Sequence, residues 1–265
     1  MCTEAAPGAT VLDAGCVGQA LALSAEAGWN QDAADWSAFI EHGTVWGVFA
    51  GGVLVATAAA LPYGAFGWVS MVLVTPAWRR QGLATRLVRC AIASLRDTGR
   101  AAFLDATPDG AAVYARLGFV PLCGMARWSG LGGGRGPGVP AVDFTRDATA
   151  FGADRRVLLQ GMLARPHSRV IASGHGFALL RPGRRAMQIG PLVAEADGAR
   201  LLSAAIDAAE GPVLIDVLEA GNTLLPVLEG RGFRLERGFT RMALGQSHLP
   251  GTPAHLLAAA GPEFG

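Results

Sequence analysis

From Thr44 to Trp78 the chain carries no charged residue, and no other feature limits its fold so strongly. A run of this length could make a membrane-spanning helix, which needs roughly 20 apolar residues. Gly51, Gly52, Pro62, Gly64 and Gly67 argue otherwise, because glycine and proline punctuate strands at turns. They cut the run into VWGVFA, VLVATAAALPY and GWVSMVLV, pieces of strand length. Strands covered on both faces read as nearly continuous apolar runs. The stretch is therefore expected to form the centre of a sheet, with no membrane span.

The third piece leads into VLVTPAWRRQGLATRL, residues 72–87. Here an apolar strand passes through an Arg- and Gly-bearing turn, Arg79-x-x-Gly82-x-Ala84, into a segment whose Leu83, Leu87, Val88, Ala91, Ile92 and Leu95 recur at helical spacing. The first turn of a helix has N–H groups without intrahelical partners and carries the positive end of the helix dipole. A diphosphate is the natural occupant of such a place. Gly82 lets the backbone approach that ligand with no side chain between, and Ala84 is small to the same effect. A bare match of this kind recurs by chance, so a second element matters. That element is Tyr114 in AAVYARLGF, on a short helix ending at Gly118 before Phe119 and Val120 open another strand.

Together the two elements resemble the GNAT superfamily of acyl-CoA-dependent N-acetyltransferases, over about residues 20–128. The resemblance implies that Arg79, Arg80, Gln81, Gly82, Leu83, Ala84 and Thr85 line the coenzyme A pyrophosphate, largely through backbone amides. It implies that Val72, Leu73 and Val74 pair their backbone with the pantetheine arm as though it were another strand, and that Tyr114 faces the thioester sulfur. Ala84 stands where many relatives have Gly. The wording AGWN and LDATPDGAAVYARLGF resembles a bacterial subfamily in which an active GNAT domain precedes a degenerate one. The implied fold is α/β: tandem GNAT-like domains, each a mixed central sheet flanked by helices.

With 265 residues, 51% of them hydrophobic, the chain can bury one large core or two modest ones, and two is the preferred reading. A net charge of +1 argues against a nucleic-acid binder. Every one of the 22 strong bases is Arg, so the protein has no lysine of its own to acetylate. Cys2, Cys16, Cys90 and Cys123 show neither a C-x-x-C pair nor metal-ligand spacing; they read as reduced thiols, and no metal is expected. The first residues lack the basic start and apolar block of a signal peptide, which points to the cytoplasm.

Residues 17–27 and 31–41 read as helices joined by Gly28-Trp29-Asn30. Residues 1–130 are expected to form the catalytic domain, and the Gly/Pro-rich residues 131–142 a flexible linker. Residues 143–247 repeat the strand–helix order of the first domain's second half. Residues 248–265 are expected to be a mobile tail. The repeat has lost chemistry: EADGARL stands in place of RRQGLAT, and Glu195 and Asp197 would repel a diphosphate. Aligning Gly118-Phe119 with Gly232-Phe233 puts Leu228 at the position of Tyr114. This domain is expected to keep the fold without the activity, and to shape the acceptor cleft or to join two chains as a homodimer.

The implied reaction moves an acetyl group from acetyl-CoA, as cosubstrate, to a primary amine of a small molecule. A phenol of pKa about 10 can donate to a departing thiolate whose thiol has a pKa of about 8.5, the role assigned to Tyr114. The alternative is that Tyr114 caps a core between helix and strand. The strand carrying Ser70 holds no carboxylate, so the candidate base is Asp105 at the end of AAFLDAT, with Glu41 and His42 weaker; Asp105 could equally cap the next turn. Trp29, Asn30, Tyr63, Trp68 and Ser70 are candidates for the acceptor pocket, while His175 and Asp216 read as structural. Two other readings stay open: an acyl-CoA sensor without turnover, and acetylation of protein amines, which needs an open groove.

Overall fold

The computed structural model describes residues 8–134 and 142–265. The chain divides into two compact units, Met1–Leu104 and Asp105–Gly265.

The first unit contains β1 (Thr10–Val11), α1 (Val17–Glu26), α2 (Ala33–His42), β2 (Thr44–Ala50), β3 (Val53–Tyr63), β4 (Phe66–Val74), α3 (Leu83–Asp97) and the start of β5 (Ala101–Ala106). Its strands lie in the order β1-β2-β3-β4-β5, antiparallel except for the parallel pair β4–β5. The charge-free run makes β2, β3 and β4, and most of β3 and β4 is buried, as its composition demands. Helix α3 lays Leu87, Val88, Ala91 and Leu95 in the core. Gly67 makes room for it, since a Cβ there would run into the Leu95 side chain. Asp32 and Asp35 cap the start of α2 reciprocally, each side chain accepting from the other's backbone N–H. The buried Trp36 then donates from Nε1 to Ser24 Oγ at 3.1 Å, tying α2 to α1.

The second unit holds the end of β5, α4 (Pro108–Arg116), β6 (Val120–Leu131), α5 (Phe144–Phe151), α6 (Arg156–Leu163), β7 (Arg169–Ser173), β8 (Gly176–Arg181), β9 (Met187–Ala194), α7 (Gly198–Ala208), β10 (Pro212–Leu218), α8 (Leu225–Gly230), β11 (Arg234–Leu244) and β12 (Leu256–Ala258). The strands from β6 onward run β11-β6-β10-β12-β9-β8-β7. Helix α7 covers this sheet with Leu201, Leu202, Ala205 and Ile206.

The compact units part within β5, and β6 pairs along its length with both β10 and β11. The structure corrects two expectations. The expected linker is not free where it is described: Gly132, Gly133 and Gly134 donate their N–H groups to the carbonyls of Gly211, Ile206 and Ala209. Most of its Gly/Pro-rich remainder, residues 135–141, lies outside the described residues. The expected mobile tail is ordered: Leu256 to Ala260 and Phe264 are buried, and β12 sits between β9 and β10. Five consecutive apolar residues lower the free energy by leaving water, which the Gly- and Pro-rich approach to them obscured.

Candidate active site

In the first unit, the parallel pairing of β4 with β5 covers Phe66, Gly67 and Trp68 only. Beyond Trp68 that edge of β4 has no strand partner among the described residues, while the other edge stays on β3. On the β3 side the register slips between Ser70↔Ala59 and Leu73↔Thr57, so Met71 and Val72 together face Ala58. This is a β-bulge, with Met71 at φ 52°, an uncommon conformation for a non-glycine residue. It is held from below by Thr57 Oγ1, which donates to the Met71 carbonyl at 2.8 Å inside the core. The bulge turns backbone groups of β4 away from the ladder just before the open edge of Val72, Leu73 and Val74.

The chain then turns. Thr75 N donates to the Val55 carbonyl, and Arg79 Nε reaches back to the Val74 carbonyl at 3.1 Å. Arg80 (φ 63°) and Gly82 (φ 77°) both adopt left-handed backbone, which curls the turn into a concave loop of the kind that gathers N–H groups round an anion. Gly82 is the N-cap of α3 and supplies no side-chain cap. A Cβ on Gly82 would meet nothing within 4 Å, so the space over the helix start is open. Arg79, Arg80, Gln81 and Gly82 are exposed, Ala84 and Thr85 half-buried, and Leu83 is buried as the first core residue of α3. All seven predicted turn residues are thus contiguous round one helix terminus.

The acceptor candidates separate. Ser70 lies immediately before the bulge, 8% exposed, with its Oγ lacking any hydrogen-bond partner. Trp29 and Asn30 lie in the α1–α2 connection, Trp29 half-buried and Asn30 5% exposed. Gln31 beside them is buried with an unpartnered Oε1, and nothing in the sequence singled it out. Tyr63 is a correction. It pairs with Phe66 at the closed end of the β3–β4 hairpin, 4% exposed, its ring 5.9 Å from that of Phe66. Trp68 stacks on Phe103 at 5.8 Å in the same aromatic core. The five residue steps from Phe66 to Met71 span about 16 Å of strand, so Tyr63 belongs to the core and not to a pocket at the bulge.

In the second unit, Tyr114 sits on α4, which Thr107 caps by accepting from Gly110 N–H and Pro108 opens. Its ring meets Phe119 edge-on at 6.1 Å. Burial pushes its phenol up to about 12. Asp105 is the larger surprise. Its side chain is wholly buried and forms a bidentate pair with Arg241 of β11, both bonds 2.9 Å. Burial raises the Asp105 carboxyl above the usual carboxylate range, against the opposing pull of Arg241. Both oxygens of the candidate base are therefore engaged. Taking up a proton would remove the charge that this bidentate pair with Arg241 rests on, and breaking such a buried pair costs about 3–5 kcal/mol. Arg241 lies in GFTRMAL, where nothing in the neighbouring residues marks it as buried. The signal that could have found it is the carboxylate on an otherwise apolar strand, which needs a cation wherever it is buried.

A family model described as the acetyltransferase (GNAT) family matches residues 20–119, and a second described as an acetyltransferase (GNAT) domain matches residues 144–258. The chain belongs to the GNAT N-acetyltransferases. It carries two GNAT domains. No curated protein sequence matches it. Among solved structures, a Pyrococcus horikoshii protein assigned as an acetyltransferase has the same fold at 19% identity and TM-score 0.85, over 100% of this chain and 99% of that one. A tandem GNAT protein from the clavulanic acid biosynthesis pathway matches at 18% identity and TM-score 0.59, over 89% and 97%. A GCN5-related N-acetyltransferase from Sphaerobacter thermophilus matches at 14% and 0.60, over 92% and 96%.

Within this GNAT frame the second domain keeps the backbone of the first and changes the side chains. Asp197, at φ 62°, caps α7 in the left-handed conformation that Gly82 adopts before α3. Glu195 accepts from Arg146 Nε at 3.2 Å. Phe233 N donates to the Leu228 carbonyl as Phe119 N does to that of Tyr114, and Leu228 is buried. Asp216 accepts two bonds from Arg127 and one from Gln188, all buried, so its role is structural as expected. His175 is exposed in a hairpin turn.

Proposed function

We propose that the protein transfers the acetyl group of acetyl-CoA to the primary amine of a small molecule, by direct attack in a ternary complex in the cytoplasm. The observation that carries this is the open edge of β4 running into a left-handed, uncapped helix start. A strand edge offers alternating N–H and C=O groups to an amide-bearing arm, and the helix start offers unpaired N–H groups to its diphosphate. Among the described residues no helix is long and apolar enough to cross a membrane, and the net charge gives no electrostatic reason to bind nucleic acid.

In this reading Arg79 to Thr85 hold the pyrophosphate, Val72 to Val74 the pantetheine, and a bulge N–H the oxyanion formed when the neutral amine adds to the acetyl carbonyl. The C–S bond then breaks, the amine gives up one proton and the thiolate gains one. Tyr114, with its phenol at about 12, is better matched to hydrogen-bonding the departing sulfur than to protonating it outright. Transfer to a thiolate whose thiol has a pKa of about 8.5 would run uphill by roughly 5 kcal/mol. Ser70, Trp29, Asn30 and Gln31 are assigned to the acceptor. The Asp105–Arg241 pair is assigned to holding the end of β5, with amine deprotonation left to water.

Calorimetry with acetyl-CoA and assay of free thiol release across an amine panel test the reading. Saturable binding with amine-dependent thiol release is expected. Absence of any acetyl-CoA affinity would refute it, and binding without release for any amine would favour a sensor.

A further inference from the structure

The second GNAT unit contains the same splayed pair of parallel strands as the first, but its gap is filled. Strands β9 and β10 pair directly at Met187↔Val213, Gln188↔Leu214 and Ile189↔Ile215. Past that point β9 has its own irregularity against β8, at Gly190 and Pro191, the counterpart of the bulge in β4. There β12 enters. Leu256 pairs with Val193 and Ala258 with Leu192 on one side, Ala258 with Val217 on the other, and Ala259 N donates to the Asp216 carbonyl at 2.9 Å. In the first unit the corresponding edge of β4 has no strand partner among the described residues.

The groove is shaped to this segment. A Cβ at Gly190 would run into the Ala259 carbonyl, one at Gly221 into the Leu257 carbonyl, and one at Gly198 into the Leu257 side chain. Buried Arg181 anchors the end of the chain, donating to the Ala260 carbonyl at 3.1 Å and to Glu263 at 2.8 Å. Arg155 donates to the Gly265 carbonyl at 2.7 Å. Leu256 through Ala260 are all buried.

We propose that residues 256–260 are the resident ligand of the second unit's cofactor groove, an extended peptide in the place of a pantetheine arm, so that one chain binds one acyl-CoA. The peptide satisfies the edges of β9 and β10 that splaying would otherwise leave unpaired in an apolar core. Only the identity of the displaced ligand rests on the function proposed above; occupation of the groove by the chain itself does not.

The test combines calorimetry with amide hydrogen exchange on the full chain, as wild type and as Gly82→Asp, which puts a carboxylate at the first unit's phosphate turn. One acetyl-CoA per wild-type chain, none in Gly82→Asp, and exchange at residues 258–260 slowed roughly a hundredfold or more, with and without acetyl-CoA, are expected. A site that survives in Gly82→Asp, or loss of that protection on adding acetyl-CoA, would overturn the proposal. Fast exchange there in the free protein would overturn it as well. If no acetyl-CoA binds at all while the protection holds, the proposed function fails and the filled groove stands.

Discussion

Replacing Arg241 by Met would leave the Asp105 carboxylate buried without its cation. Neither group can reach water, since their side chains are 5% and 0% exposed, so solvent cannot compensate. Removing one partner of such a pair costs about 3–5 kcal/mol. At about 2–4 °C per kcal/mol this is a fall of roughly 6–20 °C in the melting transition. The pH dependence identifies the cause. The Asp105 carboxyl already titrates above its unfolded value in the native protein, with burial as the main reason and nearby Asp216 adding to it, and Arg241 is the group that pulls it down. In Arg241→Met it rises further. A carboxyl raised on folding contributes stability that is present below its unfolded pKa of about 3.9 and is lost as pH rises through its folded pKa. The deficit relative to wild type is therefore expected to be largest near pH 7 and to shrink as pH falls toward 4. The double variant Asp105→Leu/Arg241→Met, with no buried charge left at this place, is expected to recover most of the loss. Denaturant unfolding monitored across this pH range supplies the measurement. A deficit that does not change with pH, or a double variant no more stable than the single one, would refute the reasoning.

Further outcomes are expected elsewhere in the molecule. Gly82→Ala forces a side chain into left-handed backbone, costing about 1–2 kcal/mol of stability, and points its methyl into the open space over α3; the KM for acetyl-CoA should rise at least tenfold in steady-state assays. Tyr114→Phe should lower kcat about a hundredfold with little change in the KM for acetyl-CoA; because the phenol sits at about 12, the wild-type rate should show no loss from its ionisation up to about pH 10 in a pH–rate profile. Trp36→Phe removes the donor to Ser24 Oγ inside the first unit and should cost about 1–3 kcal/mol by chemical denaturation, without altering acetyl-CoA affinity.

Much of the local structure at residues 72–85 was legible because its signals are local. Residues 72–85 carry a strand, a turn and a helix start in one continuous stretch, and each part follows from residue type: Gly82 suits the positive φ at the helix start, and apolar spacing fixes the buried face of α3. The hairpins β2–β4 followed for the same reason, from glycines and the absence of charge. The acceptor side was not legible. Tyr63 and Trp68 are aromatic in a region the family resemblance made suggestive, yet Tyr63 closes the β3–β4 hairpin and Trp68 stacks on Phe103 in the core. Gln31 and Thr57 attract no notice in the sequence, and they matter through burial and partners.

The sequence by itself determined the pieces that depend on neighbours a few residues away: the strand–turn–helix of residues 72–87, the helix bearing Tyr114, and the loss of both signatures in the second half. Tertiary structure alone decided that Asp105 is locked to Arg241, that β6 joins β10 and β11, and that residues 256–260 fill the groove between β9 and β10. Those outcomes bring together residues separated by tens to more than a hundred positions. They are selected by the free energy of leaving no buried charge, strand edge or apolar surface unmatched, a sum over the folded molecule that no local pattern contains.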